Sequence, residues 1–166
     1  MDIKIIKGDI TKAKVDAIVN AANSRLAAGG GVCGAIFSAC DDARALQREC
    51  DSVAPCPVGE ARITGSYGLT CKHIIHAVGP IYRNDAESAP LLASAYRSSL
   101  ELAYRYNLES IAFPSISTGI FGYPLDKAVI IALNTIKLYT TNRLKECYIY
   151  CFDDRTYNVF KKTLAH

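Results

Sequence analysis

Ala17-Ile18-Val19-Asn20-Ala21-Ala22-Asn23 and, a few residues on, Gly29-Gly30-Gly31-Val32-Cys33-Gly34-Ala35-Ile36-Phe37 decide how this chain is read. An apolar strand pattern runs into two asparagines, and a glycine run then opens onto an apolar helix start. Adjacent glycines give up side-chain packing and carry extra unfolded-state entropy. A chain tolerates that where its backbone must come close to another group. Backbone N–H groups at a helix N-terminus suit an anion there, above all a phosphate.

The same strand–loop–helix order recurs along the chain. Short segments rich in Ile, Val or Tyr predict strands over Ile3–Ile6, Ala17–Asn20, Ala61–Ser66, His73–Val78, Ser110–Pro114 and Glu146–Cys151. Helical patterns cover Val32–Cys40, Asp41–Cys50, Pro90–Tyr106, Leu125–Thr140 and Asp153–Leu164. In the third, Leu91, Ala95, Leu102 and Tyr106 mark an apolar face. In the last, Tyr157, Phe160 and Leu164 do so, with Asp153 or Asp154 as N-cap. Alternating strands and helices predict an α/β sheet covered on both faces. Ligands of such folds bind at the carboxyl ends of the strands. Gly8-Asp9-Ile10-Thr11, Asn20–Cys33, Ser115–Pro124 and Phe152-Asp153 all fall at such ends and are expected to line one cleft.

Ser115-Ile116-Ser117-Thr118-Gly119-Ile120-Phe121-Gly122-Tyr123-Pro124 is a second glycine-bearing loop after a strand. Its glycines permit close backbone approach, its hydroxyls add donors, and Pro124 suits a first helical turn. Two such loops in one domain suggest two walls around one diphosphate. The first loop satisfies GxGxxG as text, but its glycines do not follow the strand directly as a dinucleotide site requires. No GK[ST] follows, which excludes a P-loop. Asp9 reads either as a turn cap through Thr11 or as a carboxylate accepting from an amino group.

The bulk numbers agree with one domain over residues 1–166. Half the residues are hydrophobic and the net charge is +3, with scattered Lys and Arg, a weak case for nucleic-acid binding. Seven cysteines show no CxxC and no zinc spacing. Their expected state is reduced, mostly as small core residues, in a cytoplasmic protein. Asp2–Lys7 reads as a charged strand rather than a secretory leader. No apolar run is long enough for a membrane span.

Gly8-Asp9-Ile10-Thr11, Asn20-Ala21-Ala22-Asn23-Ser24, Gly29-Gly30-Gly31-Val32 with Ile36, His76-Ala77-Val78-Gly79-Pro80, and Ser117-Thr118-Gly119-Ile120-Phe121-Gly122-Tyr123-Pro124 together resemble the macrodomain family, MacroD-like branch. The resemblance runs in order through essentially the whole chain. It implies a three-layer α/β/α fold around a mixed six- or seven-stranded sheet, with ADP-ribose as ligand and no cofactor or metal. It also implies hydrolysis of mono-ADP-ribosyl esters on Asp and Glu of modified proteins, and deacetylation of O-acetyl-ADP-ribose. By position, Asp9 and the Ile10 amide would hold adenine, with Phe152 against the ring, and Asp153 would be a further ligand-binding residue. Asn23 would hold the distal ribose. Gly30, Gly31, Val32 and Cys33 would take one side of the diphosphate. Ser117, Thr118, Gly119, Ile120 and Phe121 would take the other, with Phe121 beside the distal ribose. Asn20 would brace the first loop, and His76 reads as a core histidine rather than a catalyst.

One departure bears on mechanism. Many MacroD-like hydrolases carry aspartate after Gly-Gly-Val, where this chain has Cys33, and Phe37 replaces a histidine that often follows. The expected catalytic residues are Asn23, Cys33 and Phe121. The favoured route is a water held between Asn23, the loop amides and the α-phosphate, with the ligand's phosphate as base. A Cys33 thiolate is the second route, and no histidine is evidently paired with it. The alternatives are an ADP-ribose reader without catalysis and an RNA- or poly(ADP-ribose)-binding module. The expected partners are ADP-ribose and ADP-ribosylated proteins, and a monomer is expected.

Overall fold

The computed structural model describes residues 1–139, 141 and 143–166. Six strands form one sheet, β1 (Asp2–Lys7), β2 (Ala17–Ala21), β3 (Ala61–Gly65), β4 (His73–Ala77), β5 (Ser110–Phe113) and β6 (Glu146–Cys151), in the spatial order β1-β6-β5-β2-β4-β3. Only β3 runs antiparallel to its neighbour; the other pairings are parallel. The sheet is therefore mixed and six-stranded, within the expected range.

Five helices cover it: α1 (Gly31–Ala39), α2 (Ala43–Val53), α3 (Asp85–Arg105), α4 (Leu125–Leu138) and α5 (Asp154–Leu164). Strand alternation separates two cores. Val19, Ile75, Phe113 and Ile149 point toward α3, α4 and α5, where they meet Tyr96, Leu100, Leu133 and Phe160. Ile18, Ile74 and Ala112 point the other way and meet Ile36, Phe37 and Leu46 of α1 and α2. Each large apolar side chain so buried contributes about 1.5–3 kcal/mol. The result is the three-layer arrangement the strand–helix alternation implied.

Helix bounds depart from the sequence reading most at α3 and at α2, which ends at Val53 rather than Cys50. α3 begins at Asp85 rather than Pro90, because the Asn84 side chain accepts from the Glu87 amide at 2.8 Å and caps the helix earlier. Its buried stripe is Leu92, Ala95, Tyr96, Ser99, Leu100 and Ala103, while Leu91 and Tyr106 are exposed. α2 starts at Ala43, where the Asp42 carboxylate accepts from the Ala45 amide. Thr140, given to α4 by the sequence pattern, lies outside the described residues. No described helix is long and apolar enough to cross a membrane.

All seven cysteines are free, and all but Cys40 are buried. Burial pushes the thiols of Cys50 and Cys151 up to about 12. They act as small apolar side chains.

Candidate functional site

Because β1, β6, β5, β2 and β4 are mutually parallel, the segments that follow them leave the sheet at one end. Their spatial order follows the strand order. Asp9–Thr11 after β1 comes first, then Phe152-Asp153 after β6, the loop 114–124 after β5, the loop 22–30 after β2, and the segment 78–84 after β4. The four segments that the sequence placed in one cleft thus form one continuous row.

Helix capping divides this row. Asp42, Asn84 and Asp153 cap α2, α3 and α5 with their side chains, and Asp9 caps the 3-10 turn Ile10–Lys12. The helices that follow the two glycine loops have no side-chain cap: α1 starts after Gly30 and α4 after Pro124. The first-turn N–H groups of a helix have no intrahelical acceptor. At α1 and α4 they are left for another partner, and the positive end of the helix dipole favours an anion there.

The glycines sort the same way. A Cβ built on Gly30, Gly31 or Gly119 would meet no atom within 4 Å, so nothing in the protein fills the space above these residues. Gly31 also has φ +57°, a conformation costly for other residues. Gly34 is different. A Cβ there would lie 2.5 Å from the Gly29 carbonyl oxygen, so Gly34 lets the glycine run fold back onto α1.

The first loop is braced from within. Asn23 accepts from the Ala27 amide at 3.1 Å and donates to the Ala27 carbonyl at 2.9 Å. Gln47 of α2 accepts from the Ala28 amide and donates to the Leu26 carbonyl. Cys33 is 5 % exposed. Its thiol donates to the Ala27 carbonyl at 3.5 Å, and Asn20 Nδ2 donates to its Sγ at 3.7 Å. Asn20 Nδ2 is also 3.0 Å from His76 Nδ1, and His76 Nε2 is 2.9 Å from Thr64 Oγ1. His76 is wholly buried, and burial pushes its pKa down to about 4, so the imidazole is neutral. It is a core histidine, as the sequence indicated. What the sequence reading missed is that it reaches Cys33 through Asn20.

The second loop is anchored at its base. The Tyr96 hydroxyl of α3 accepts from the Ile116 amide and donates to the Pro114 carbonyl. Ser117 is buried in the left-handed region at φ +68°, and its Oγ has no partner among the described residues. The Thr118 hydroxyl turns back to Ser115. The tip is open: Ile120 is 95 % exposed and Phe121 is half-buried.

At the other end, Asp9 Oδ1 accepts from both the amide and the hydroxyl of Thr11, which holds its carboxyl below the usual carboxylate range. Both readings of Asp9 are compatible, because the turn engages only one of its oxygens in these bonds. Phe152 is 90 % exposed, an aromatic ring with almost no protein packing. The Asp153 side chain accepts from the Thr156 amide at 2.8 Å. No group of three His, Cys, Asp or Glu residues suited to a metal ion occurs among the described residues. A separate groove of about 390 Å³, lined by Arg97 and Leu138 among others, lies between α3 and α4.

An α/β/α sheet with two glycine loops over helix starts that lack side-chain caps defines an α/β domain whose strand ends suit an anion. The Macro domain family model matches residues 19–132, and the chain belongs to that family. A macro domain-containing protein of Mesorhizobium japonicum is 48 % identical over 166 residues, covering 98 % of this chain and 93 % of that protein. One from Caldanaerobacter subterraneus is 48 % identical over 164 residues, with 96 % and 94 % coverage. Among solved structures, an Oceanobacillus iheyensis macrodomain with ADP superposes with TM-score 0.91 at 40 % identity, covering 97 % of this chain and 88 % of that one. A Trypanosoma brucei macrodomain in complex with ADP-ribose superposes with TM-score 0.91 at 38 % identity, covering 98 % and 68 %.

Proposed function

We propose that this chain binds ADP-ribose across the row of loops. In this reading it also hydrolyses mono-ADP-ribosyl esters on Asp and Glu side chains, and O-acetyl-ADP-ribose, in the manner of the MacroD-like branch. The observation that carries the proposal is the unfilled space over Gly30, Gly31 and Gly119 beside two helix starts without side-chain caps. The strand order supports it: Asp9 and Phe152 sit at the β1/β6 end for adenine, the two loops follow for the diphosphate, and Asn23 comes last for the distal ribose. Relatives with ADP and ADP-ribose bound share this fold.

For ester hydrolysis, a water held by Asn23 and the loop amides adds to the anomeric carbon. The bond from that carbon to the ester oxygen breaks, and the carboxylate departs with the bonding electrons. The water's proton passes to an α-phosphate oxygen and then to solvent. A carboxylate is a good leaving group, so no strong general acid is needed. Holding water and ribose together supplies the orientation.

The test is release of ADP-ribose from an aspartyl- or glutamyl-ADP-ribosylated protein, run beside calorimetry with free ADP-ribose. Binding with turnover supports the proposal. Binding without turnover leaves the reader function, which the inward-turned Cys33 thiol in place of a carboxylate favours as the second reading. Absence of binding overturns both.

A further inference from the structure

The segment after β4 contains a residue that the sequence motifs did not single out, Tyr82. Its backbone N–H donates to the Phe121 carbonyl at 2.9 Å, so it grips the tip of the second glycine loop directly. Its ring packs on Tyr123, with centroids 4.7 Å apart and planes at 59°. Its hydroxyl donates to Asp85 Oδ1 at 2.7 Å, and Lys127 Nζ holds the other oxygen of Asp85 at 2.9 Å. Asp85 is the first residue of α3 and Lys127 lies in the first turn of α4. The cluster therefore ties the start of α3 to the start of α4, the helix that follows the loop. Three residues earlier, Gly79 lies so close to the loop base that a Cβ would collide with Ser117 Oγ and Ile116 Cγ2.

The loop has little else to hold its tip. Tyr96 pins only the base at Ile116. Within the loop, Gly122 donates to the Gly119 carbonyl and Tyr123 to the Ser117 carbonyl, so it is closed on itself. Gly119 faces open space and Ile120 is almost fully exposed. A loop tip with so few buried contacts opens at low free-energy cost unless something outside holds it.

We infer that Tyr82 is a positioning residue, a latch that holds the Ser117–Gly122 wall closed and sets how fast a diphosphate ligand leaves. The inference rests on the ADP-ribose reading above. The latch acts on a loop reserved for the diphosphate and distal ribose, and Tyr82 itself follows β4, several strands from the adenine end at β1 and β6. Loss of the latch therefore raises dissociation of a diphosphate ligand and leaves the nucleoside end untouched.

The experiment measures dissociation rates for ADP-ribose and, by NMR titration, the affinity for adenosine, in wild type, Tyr82→Ala and Tyr82→Phe. An aromatic pair of this kind predicts an increase of about fivefold to tenfold in the ADP-ribose dissociation rate for Tyr82→Ala. Tyr82→Phe keeps the ring on Tyr123 and should return the rate to within about threefold of wild type. Adenosine affinity should stay unchanged in both, and the melting temperature should confirm that both variants fold. An unchanged ADP-ribose rate in a folded Tyr82→Ala overturns the latch. So does an equal loss for adenosine and ADP-ribose, which would mark general damage. A wild-type protein that binds no ADP-ribose overturns instead the reading on which the latch rests.

Discussion

Asn20 Nδ2 lies 3.0 Å from His76 Nδ1, and the two residues are register partners on the parallel strands β2 and β4. Both side chains are buried, and while Asn20 Nδ2 is engaged, Asn20 Oδ1 has no partner among the described residues. Asn20 spends the same amide group on Cys33 at the head of α1. The sheet thus supports the first glycine loop from below through side chains, in addition to backbone pairing.

This pair gives the fold an acid-sensitive element. His76 has its pKa pushed from 6.5 down to about 4 by burial, opposed only by the distant attraction of Glu49. The unfolded chain takes up a proton below 6.5 while the folded one does not, so stability is full above that pH and falls as pH drops toward 4. The loss attributable to this group is about 3 kcal/mol. Urea unfolding across that range should show His76→Gln less stable than wild type at pH 7, with the gap narrowing as pH falls. A constant gap between wild type and variant would refute the assignment of a neutral buried imidazole.

Two glycines of the first loop make opposite predictions. Gly30→Ala places a methyl group where no protein atom lies within 4 Å, so the fold should be unaffected while ADP-ribose binding weakens. Gly34→Ala forces a methyl group to 2.5 Å from a backbone oxygen, so the loop must shift. The expected cost is about 1–3 kcal/mol of stability. Calorimetry and thermal unfolding of both variants check this. Tight ADP-ribose binding by a folded Gly30→Ala would place the ligand elsewhere.

How much of this was legible in the sequence depended on whether the cause was local. The strand segments followed from short runs rich in Ile, Val or Tyr, and the four cleft segments from unusual residues at strand ends. Strand order was not legible, because it depends on long-range pairing such as β1 beside β6. The start of α3 was missed because Pro90 reads as a helix opening when the Asn84 cap is overlooked. The link from His76 to Cys33 was invisible for the same reason as strand order: it exists only once β2 and β4 are in register. Tyr82 carries no motif at all, and only its three-dimensional contacts with Phe121, Tyr123 and Asp85 reveal it.

Phe152 tests the adenine end. A ring that is 90 % exposed contributes little to the fold, so Phe152→Ala should leave the unfolding midpoint within experimental error. If the ring stacks on adenine, ADP-ribose affinity should fall about tenfold. Ribose 5-phosphate, which has no base, should bind both proteins alike. An unchanged ADP-ribose affinity in Phe152→Ala would remove this residue from the site.

Cys33 decides the chemistry. Its thiol is turned toward the Ala27 carbonyl and Asn20 rather than standing free in the cleft. A group so engaged is poorly placed to accept a proton from water, and the ligand's phosphate is the expected base. Cys33→Ala should therefore keep ester hydrolysis within about threefold of wild type, with ADP-ribose binding retained. Cys33→Asp supplies the carboxylate many relatives of the MacroD-like type are expected to carry, and should hold or raise the rate. Asn23→Ala should reduce hydrolysis by about a hundredfold, because it removes both the proposed ribose contact and the paired bonds to Ala27 that shape the loop. Single-turnover release of ADP-ribose from a glutamyl-modified protein measures all three. A hundredfold loss in Cys33→Ala with intact binding would make the thiol the reacting base, and a fully active Asn23→Ala would remove Asn23 from the reaction.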